Sequence, residues 1–415
     1  MMDIGKTPFI RTEGTKFMIG DKSYYFLGTN LWYGMNLGSK GKGGDRARLT
    51  SELDLLAHHH IKNLRIMGAS EGPDSAPWRM VPSLQPSPGT YNEDLWEGLD
   101  YLLSEMGKRD MKAVICLGNF WPWSGGMAQY IQWFEPGKIP YPPPAKGGNW
   151  LRFQRYASQF FVHPKALECY AQHVQNIVSR KNSISGLAYK DDPTIMAWQL
   201  ANEPRGLGRY KGYQNWIESS VKLIRTLDPN HLISLGTEGS IAYPLQEKRT
   251  IKDQALDGVD YGTFHIWAQN WGWFQPHKAE KTYNRTCLKV SRYINRHTQR
   301  IGGLNKPLVL EEFGISRDKD NHDPQSSTTI RDSYYKFVFE ECLKWAKKGM
   351  LSGINFWAWG GQGRPISPKA IWKAGDPFIG DPPHEYQGWY SVYDTDQTTL
   401  KIIREFALKL ESLSS

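Results

Sequence analysis

The sequence predicts an α/β protein, a (β/α)8 TIM barrel with an N-terminal β-hairpin and long loops on its catalytic face. Three observations carry this expectation. Eight short apolar runs recur along the chain, most of them separated by helical patterns. The runs lack polar alternation, as expected of parallel strands covered on both faces. Two of them stop at a carboxylate and a turn residue: Ile195-Met-Ala-Trp-Gln-Leu-Ala-Asn-Glu-Pro204 ends at Glu203, and Leu308-Val-Leu-Glu-Glu-Phe-Gly314 at Glu312. Active sites of parallel sheets lie at the carboxyl ends of the strands.

The elements follow in order. Phe9–Arg11, Phe17–Ile19 and Tyr24–Leu27, broken by Gly14 and Gly20-Asp-Lys, read as a small hairpin leading into a first strand that ends at Gly28-Thr-Asn30. Helix Arg46–Ala57 precedes strand Lys62–Met67, and helix Glu93–Arg109 precedes strand Ala113–Leu117. Helix Lys165–Arg180 leads to Ile195–Leu200, and helix Gln214–Leu227 to Leu232–Leu235. Strand Gly262–His265 follows a loop. Helix Cys287–Arg300 precedes Pro307–Glu311, helix Arg331–Lys347 precedes Gly353–Trp357, and Thr398–Leu413 closes the chain. Two insertions stand out, Asn119–Pro164 after the third strand and Gly360–Tyr386 after the eighth. The first is expected to be a structureless but functional loop, and together they would wall a cleft.

A length of 415 residues, 40% of them hydrophobic, suits one catalytic domain, a barrel of roughly 250 residues enlarged by loops. The formal charge is +9, but no long Lys/Arg block forms a nucleic-acid stripe, so the Lys residues read as scattered over solvated faces. Seventeen Trp and 21 Tyr exceed the needs of a core. Trp121, Trp123, Trp133, Trp150, Trp271 and Trp273 sit in loops, where flat faces suit pyranose rings or pin the loops down. The four cysteines have no metal spacing, and no apolar run is long enough to span a membrane. Met1-Met-Asp-Ile-Gly lacks the apolar region of a signal peptide; export, with a leader removed upstream, is the expectation.

Polar and aromatic residues recur at or just beyond the strand ends: Asn30, Arg65, Asn119, Asn202 with Glu203, Glu238, His265 with Trp267, Glu312 and Trp357. Their recurrence places them around one spot at the barrel mouth. A pair of carboxylates there is the equipment of glycoside hydrolysis.

At these motifs the chain resembles glycoside hydrolase family 5, and within it the endo-β-1,4-mannanases. The motifs are Gly28-Thr-Asn30, Asn63-Leu-Arg65, Trp198-Gln-Leu-Ala-Asn-Glu-Pro-Arg205, Gly236-Thr-Glu-Gly239, Gly262-Thr-Phe-His265, Glu311-Glu-Phe-Gly314, Phe356-Trp-Ala-Trp-Gly360 and Gly388-Trp-Tyr-Ser-Val-Tyr393. The resemblance implies a retaining endo-β-1,4-mannanase with Glu203 as acid/base and Glu312 as nucleophile. Glu311 competes for the second role, and the position directly before the aromatic–Gly pair selects Glu312. The resemblance further implies that Arg65 keeps Glu312 ionised, that Asn202 binds the sugar 2-hydroxyl, that His265 orients carboxylates and water, and that Trp357 floors the −1 subsite. Asn119, Arg205 and Glu238 resemble mannanase residues, while Trp267 stands where the family commonly has Tyr. Trp121 and Trp123 are expected to bind more distant sugars. Mannan, glucomannan, galactomannan and manno-oligosaccharides are the implied ligands. No metal, cofactor, nucleic acid or membrane is expected, and the protein is expected to be a secreted or extracytoplasmic monomer.

Other readings are a β-1,4-glucan endohydrolase of the same family and a non-catalytic polysaccharide-binding barrel. His58-His-His60 falls between a helix and the second strand, at the bottom face, and reads as a solvated turn. Asn284-Arg-Thr286 matches a glycosylation acceptor, a common chance triplet. No Gly-x-Ser-x-Gly elbow, phosphate loop, zinc-protease or dinucleotide motif is present.

Overall fold

The computed structural model describes residues 8–240 and 247–414; Met1–Gly5, discussed above, lies outside them. Eight strands form the barrel: β1 Phe26–Asn30, β2 Asn63–Met67, β3 Lys112–Cys116, β4 Ile195–Gln199, β5 Leu232–Ser234, β6 Gly262–Ile266, β7 Leu308–Phe313 and β8 Gly353–Phe356. Their order in the sheet is β5-β4-β3-β2-β1-β8-β7-β6, and every pairing is parallel. Between β5 and β6 the ring is joined by single bonds: Asp260 N to Ile233 O at 2.9 Å and His265 N to Glu238 O at 3.1 Å. Every strand residue is buried, which is why the strands read as continuous apolar runs. Close packing extends to the backbone: a Cβ on Gly28 of β1 would lie 2.2 Å from the Asn63 carbonyl oxygen.

The N-terminal unit is more than a hairpin. Ile10–Glu13, Lys16–Ile19 and Lys22–Tyr24 make a three-stranded antiparallel sheet. Its Phe17 packs against Phe26 at 6.3 Å and Tyr261 at 5.2 Å between ring centroids. With Ile10 it joins Val114, Met196, Leu232 and Val309 in a separate apolar cluster. These residues come from the N-terminal ends of the strands, so the sheet plugs the bottom of the barrel. The mouth is left to polar chemistry.

The insertion after β3 is structured, contrary to the sequence expectation. It holds helix Gly126–Phe134, helix Trp150–Ala157 and two short 3-10 turns. Its Pro and Gly residues hide short helical stretches whose apolar faces pack on the insertion itself. A buried cluster staples it to the barrel. Glu71 Oε2 accepts from Gly126 N at 2.8 Å, and Arg79 donates to Glu71 O at 2.6 Å, Gln129 at 2.8 Å and the Tyr141 hydroxyl at 2.7 Å. The second insertion returns as a short parallel pairing of Trp359–Gly361 with Val392–Tyr393. The four cysteines are free thiols. No helix among the described residues is long and apolar enough to cross a membrane.

Glu71 makes this staple pH-dependent. Burial pushes its carboxyl up to about 8, although the Gly126 N–H and the Arg79 charge pull it down. The folded carboxyl therefore keeps its proton at pH values where the unfolded chain has lost it. The native state binds more protons in that window, so stability falls as pH rises through it. Glu71→Gln keeps an acceptor for Gly126 N–H and carries no charge. Between pH about 6.5 and about 8.5 its urea-unfolding midpoint is expected to fall less than that of the unmodified protein, the histidines being common to both. Parallel curves would mean that Glu71 ionises freely in the fold.

Candidate active site

The C-terminal ends of the strands deliver their polar residues to one place, where a cavity of about 600 Å³ opens. Of the residues expected there, Glu203, Glu312, Asn202, Arg205, Glu238, Trp267, Trp357, Trp121 and Trp123 line it. Arg65, Asn119 and His265 do not; they lie buried directly beneath and hold the others.

The arrangement is built on Arg65 in the middle of β2. Its Nε donates to Gln199 Oε1 at 2.7 Å, Nη2 to Asn202 Oδ1 at 2.8 Å, and Nη1 to Asn30 Oδ1 at 3.1 Å and to Glu312. Burial disfavours the guanidinium charge, but the surrounding acidic groups outweigh it and keep Arg65 protonated. Asn202 then passes one hydrogen of its amide to Asn119 Oδ1 at 3.1 Å, leaving the other for a ligand. Both ends of the Asn119 amide are used, by Asn202 and Trp121 N on one side and Ser124 on the other. Its place is beneath the cavity, in support of Asn202 and Trp121.

Glu203 follows β4 at φ 49°, in the left-handed region and directly before Pro204, where such a backbone is costly. The Glu203 N–H is tied to Gly236 O at 2.8 Å. This geometry turns the carboxylate inward. Oε1 faces His265 Nδ1 at 2.6 Å, and Oε2 accepts from Trp121 Nε1 at 2.5 Å. Burial pushes the Glu203 carboxyl up; the hydrogen bond and charge of His265, with Arg205 and the Trp121 N–H, override it and hold it near about 2.

Glu312 arrives on β7 beside Glu311, and a register shift between Leu310 and Glu312 sets it opposite His265. His265 Nδ1 lies 3.2 Å from Glu312 Oε2 as well as 2.6 Å from Glu203. Burial lowers the imidazole pKa, but the Glu312 charge and bonds to the carboxylates raise it well above the ordinary histidine value. One proton thus sits between the two carboxylates. Facing atoms of Glu203, His265 and Glu312 all lie within 4.8 Å of one another. Glu311 points the other way, where Gln199 Nε2 donates to its two oxygens at 2.8 and 2.9 Å. Its role is structural, which leaves Glu312 as the carboxylate presented to the cavity.

Trp121 and Trp123, expected to bind more distant sugars, line the cavity close to its glutamates and to Trp357. Trp121 bonds Glu203 directly, and Arg205 lies over its ring at 4.9 Å. Trp123 is buried with its edge against Trp357 at 6.3 Å and Trp32 at 5.4 Å. Trp267 packs against Trp357 at 5.8 Å and Tyr390 at 5.3 Å. It buttresses the floor; among the described residues the polar contacts of Glu312 come from Arg65 and His265. Arg205 Nε donates to Glu238 at 2.6 Å and Nη1 to Gln154 at 2.8 Å. Burial and the Glu203 charge push the Glu238 carboxyl up to about 7 against the pull of Arg205.

The last insertion, expected to help wall a cleft, does so through residues that the sequence did not single out. His384 and Glu385 line the cavity, and His384 meets Trp150 of the first insertion at 5.9 Å, so the two loops bridge across it. Burial, with the charges of Asp381, Glu312 and Glu203, raises Glu385 well above the carboxylate range; its Oε2 has no hydrogen-bond partner among the described residues. Asp320, His322 and Trp389 add a polar–aromatic wall, with Trp389 Nε1 donating to Asp320 at 3.1 Å and His322 stacked on Trp389. No local pattern marks these positions, because only loop closure brings them to the site.

Comparison with known proteins agrees with this geometry. Residues 7–415 match the family described as GH family 5 beta-mannosidase-like. Among solved structures, a glycoside hydrolase family 5 mannosidase from Rhizomucor miehei superposes with TM-score 0.90 at 37% identity, covering 98% of both chains. A glutamate-to-alanine mutant of it, in complex with mannosyl-fructose, also has TM-score 0.90. Among characterised sequences, mannan endo-1,4-beta-mannosidase 4 of Solanum lycopersicum is 29% identical over 86% of this chain and 84% of its own. Mannan endo-1,4-beta-mannosidase 1 of Arabidopsis thaliana is 28% identical over 85% and 82%. Barrel, paired glutamates and whole-length similarity converge, and the chain belongs to glycoside hydrolase family 5.

Proposed function

We propose that this chain is a retaining endo-β-1,4-mannanase that cuts mannan, glucomannan and galactomannan by double displacement. The observation that carries the reading is the Glu203–His265–Glu312 cluster, its facing atoms within 4.8 Å. Retaining enzymes hold their carboxyls about 5–5.5 Å apart, whereas inverting ones need about 6.5–9.5 Å to admit a water. Glu312, paired with the Arg65 guanidinium, attacks the anomeric carbon and forms a glycosyl ester as the bond to the leaving oxygen breaks. Glu203 relays to that oxygen a proton drawn from His265 Nδ1 across 2.6 Å, and is left as the free carboxylate. A water then enters, Glu203 takes its proton, and the ester is cleaved with a second inversion. Trp357 stacks beneath the reacting ring, and the free Asn202 amide hydrogen meets the 2-hydroxyl. The axial 2-hydroxyl of mannose is the group such a donor distinguishes, because a glucoside would leave it unpaired. Mannan as substrate also supports an extracytoplasmic site of action for a monomeric enzyme.

A second reading has a specific support. The Trp150–His384 bridge obstructs one side of the cavity, and the 37%-identical Rhizomucor miehei protein is called a mannosidase. Both features favour release of single mannosyl units from chain ends. Mannohexaose labelled at its reducing end separates the two readings. Internal cuts give labelled di- to tetrasaccharides from the first turnovers, whereas terminal action gives free mannose and labelled pentasaccharide alone. Comparable kcat/KM on carboxymethylcellulose and on mannan would overturn both.

The roles of the glutamates are separable. Glu312→Ala is expected to abolish turnover of every substrate, since no ester forms. Glu203→Ala is expected to be nearly as damaging on polysaccharide, yet to retain more of the glycosylation rate on an aryl mannoside whose leaving group needs no proton. Equal losses on both substrates would remove Glu203 from the acid role.

Trp121→Phe removes one N–H and keeps the ring. The Glu203 carboxyl is then expected to rise, shifting the alkaline limb of the kcat/KM profile, set by loss of the acid's proton, to higher pH. An unmoved limb with a raised KM would mean that the ring contributes only sugar contact.

A further inference from the structure

Most of the +9 formal charge is concentrated in one stretch. Residues 277–306 hold eight Lys or Arg and a single acidic residue, Glu280. Most of this stretch is one helix, Ala279–Gly302, which begins eight residues before the expected Cys287. At 3.6 residues per turn, Lys281, Arg285, Lys289, Arg292, Arg296 and Arg300 fall within a sector of about 100°. Scattered in sequence, these cations form a row in space. Lys281, Arg285, Arg292, Arg296 and Arg300 are exposed and Lys289 is half-buried, while Val290, Ile294 and Ile301 turn inward. Lys281, Arg285, Lys289 and Arg292 make no ion pair with any described residue; Arg296 and Arg300 carry contacts of their own. Neighbours in the row stand three or four residues apart, a spacing at which like charges destabilise a helix. Helix formation does not account for such a pattern.

At Lys289 the row approaches the rim of the cavity. Thr286 donates to Trp273 O at 2.7 Å, Lys289 Nζ lies over the Trp273 ring at 5.6 Å, and Trp273 packs on cavity-lining Trp271 at 5.0 Å. Single cations recur every ~4.5–6 Å along one straight line. Duplex DNA presents one charge per ~1.7 Å on two winding strands, a poor match. A linear polymer with one carboxylate per sugar ring matches both the spacing and the single line.

We infer that the outer row of helix Ala279–Gly302 is a docking surface for an anionic polysaccharide of the polyuronate type, which holds the enzyme beside its neutral substrate. The surface is independent of whether the cavity acts internally or from chain ends. The test is fluorescence anisotropy with labelled oligogalacturonate at low and high salt, with neutral dextran oligosaccharide, duplex DNA and anionic lipid vesicles as comparison probes. The unmodified protein is expected to bind oligogalacturonate more tightly than dextran, DNA or vesicles, and to release it in high salt. The triple variant Lys281→Glu, Arg285→Glu, Arg292→Glu is expected to lose at least about tenfold in affinity, with hydrolysis of an aryl β-mannoside unchanged. The neutral triple glutamine variant guards against misfolding: with an unchanged melting temperature it is expected to lose affinity in the same direction. Undiminished affinity in the glutamine variant, no preference over dextran, or tighter binding of DNA or vesicles would overturn the assignment.

Discussion

The site depends on one buried cation. Arg65 lies beneath the cavity with Glu311 and Glu312 in ion-pair range and Gln199, Asn30 and Asn202 on its remaining donors. Two adjacent carboxylates at the end of β7 are affordable in a buried setting only because this charge and a protonated His265 face them. Once Arg65 is fixed, much follows. Gln199 is oriented to hold Glu311, Asn202 is turned toward the cavity, and Glu312 is held by an ion pair. Removing the guanidinium would leave unpaired carboxylates and several orphaned acceptors, a loss far larger than that of one hydrogen bond.

Around this centre the loops do what the barrel cannot. A parallel barrel presents strand ends on a shallow rim, and the two insertions raise that rim into walls. The first is anchored by Glu71 and Arg79 and sends Trp121 to the Glu203 carboxylate and Trp150 toward the opposite wall. The last insertion answers with His384 and Glu385, a neutral imidazole and a neutral carboxyl in burial that suits hydrogen bonding to uncharged hydroxyls. Chemistry and length selection are thereby divided. The glutamates and their supports belong to the strands and their ends, and the walls of the cavity to the loops.

Much of this was legible in the sequence, and the reasons are local. A buried parallel strand must be apolar on both faces, so the eight strands declare themselves, with ends within a residue or two of those observed. Asn202-Glu203-Pro204 and Glu311-Glu312-Phe313 sit at strand ends, and strand-end residues of a barrel have one place to go. Helix starts were less legible. The helix at Ala279 opens with polar residues that carry no apolar period, so only the buried half from Thr286 onward announces it.

What the sequence by itself determined is therefore the barrel, its mouth and the two glutamates, because burial and strand direction are encoded residue by residue. The tertiary structure alone decided three other things. Trp121 bonds the Glu203 carboxylate, His384 meets Trp150 across the cavity, and a scatter of Lys and Arg becomes a row. Each depends on groups distant in sequence or on the winding of a long helix. Contacts of that kind are set by how loops fold back on the barrel, which no local pattern of apolar and polar residues records.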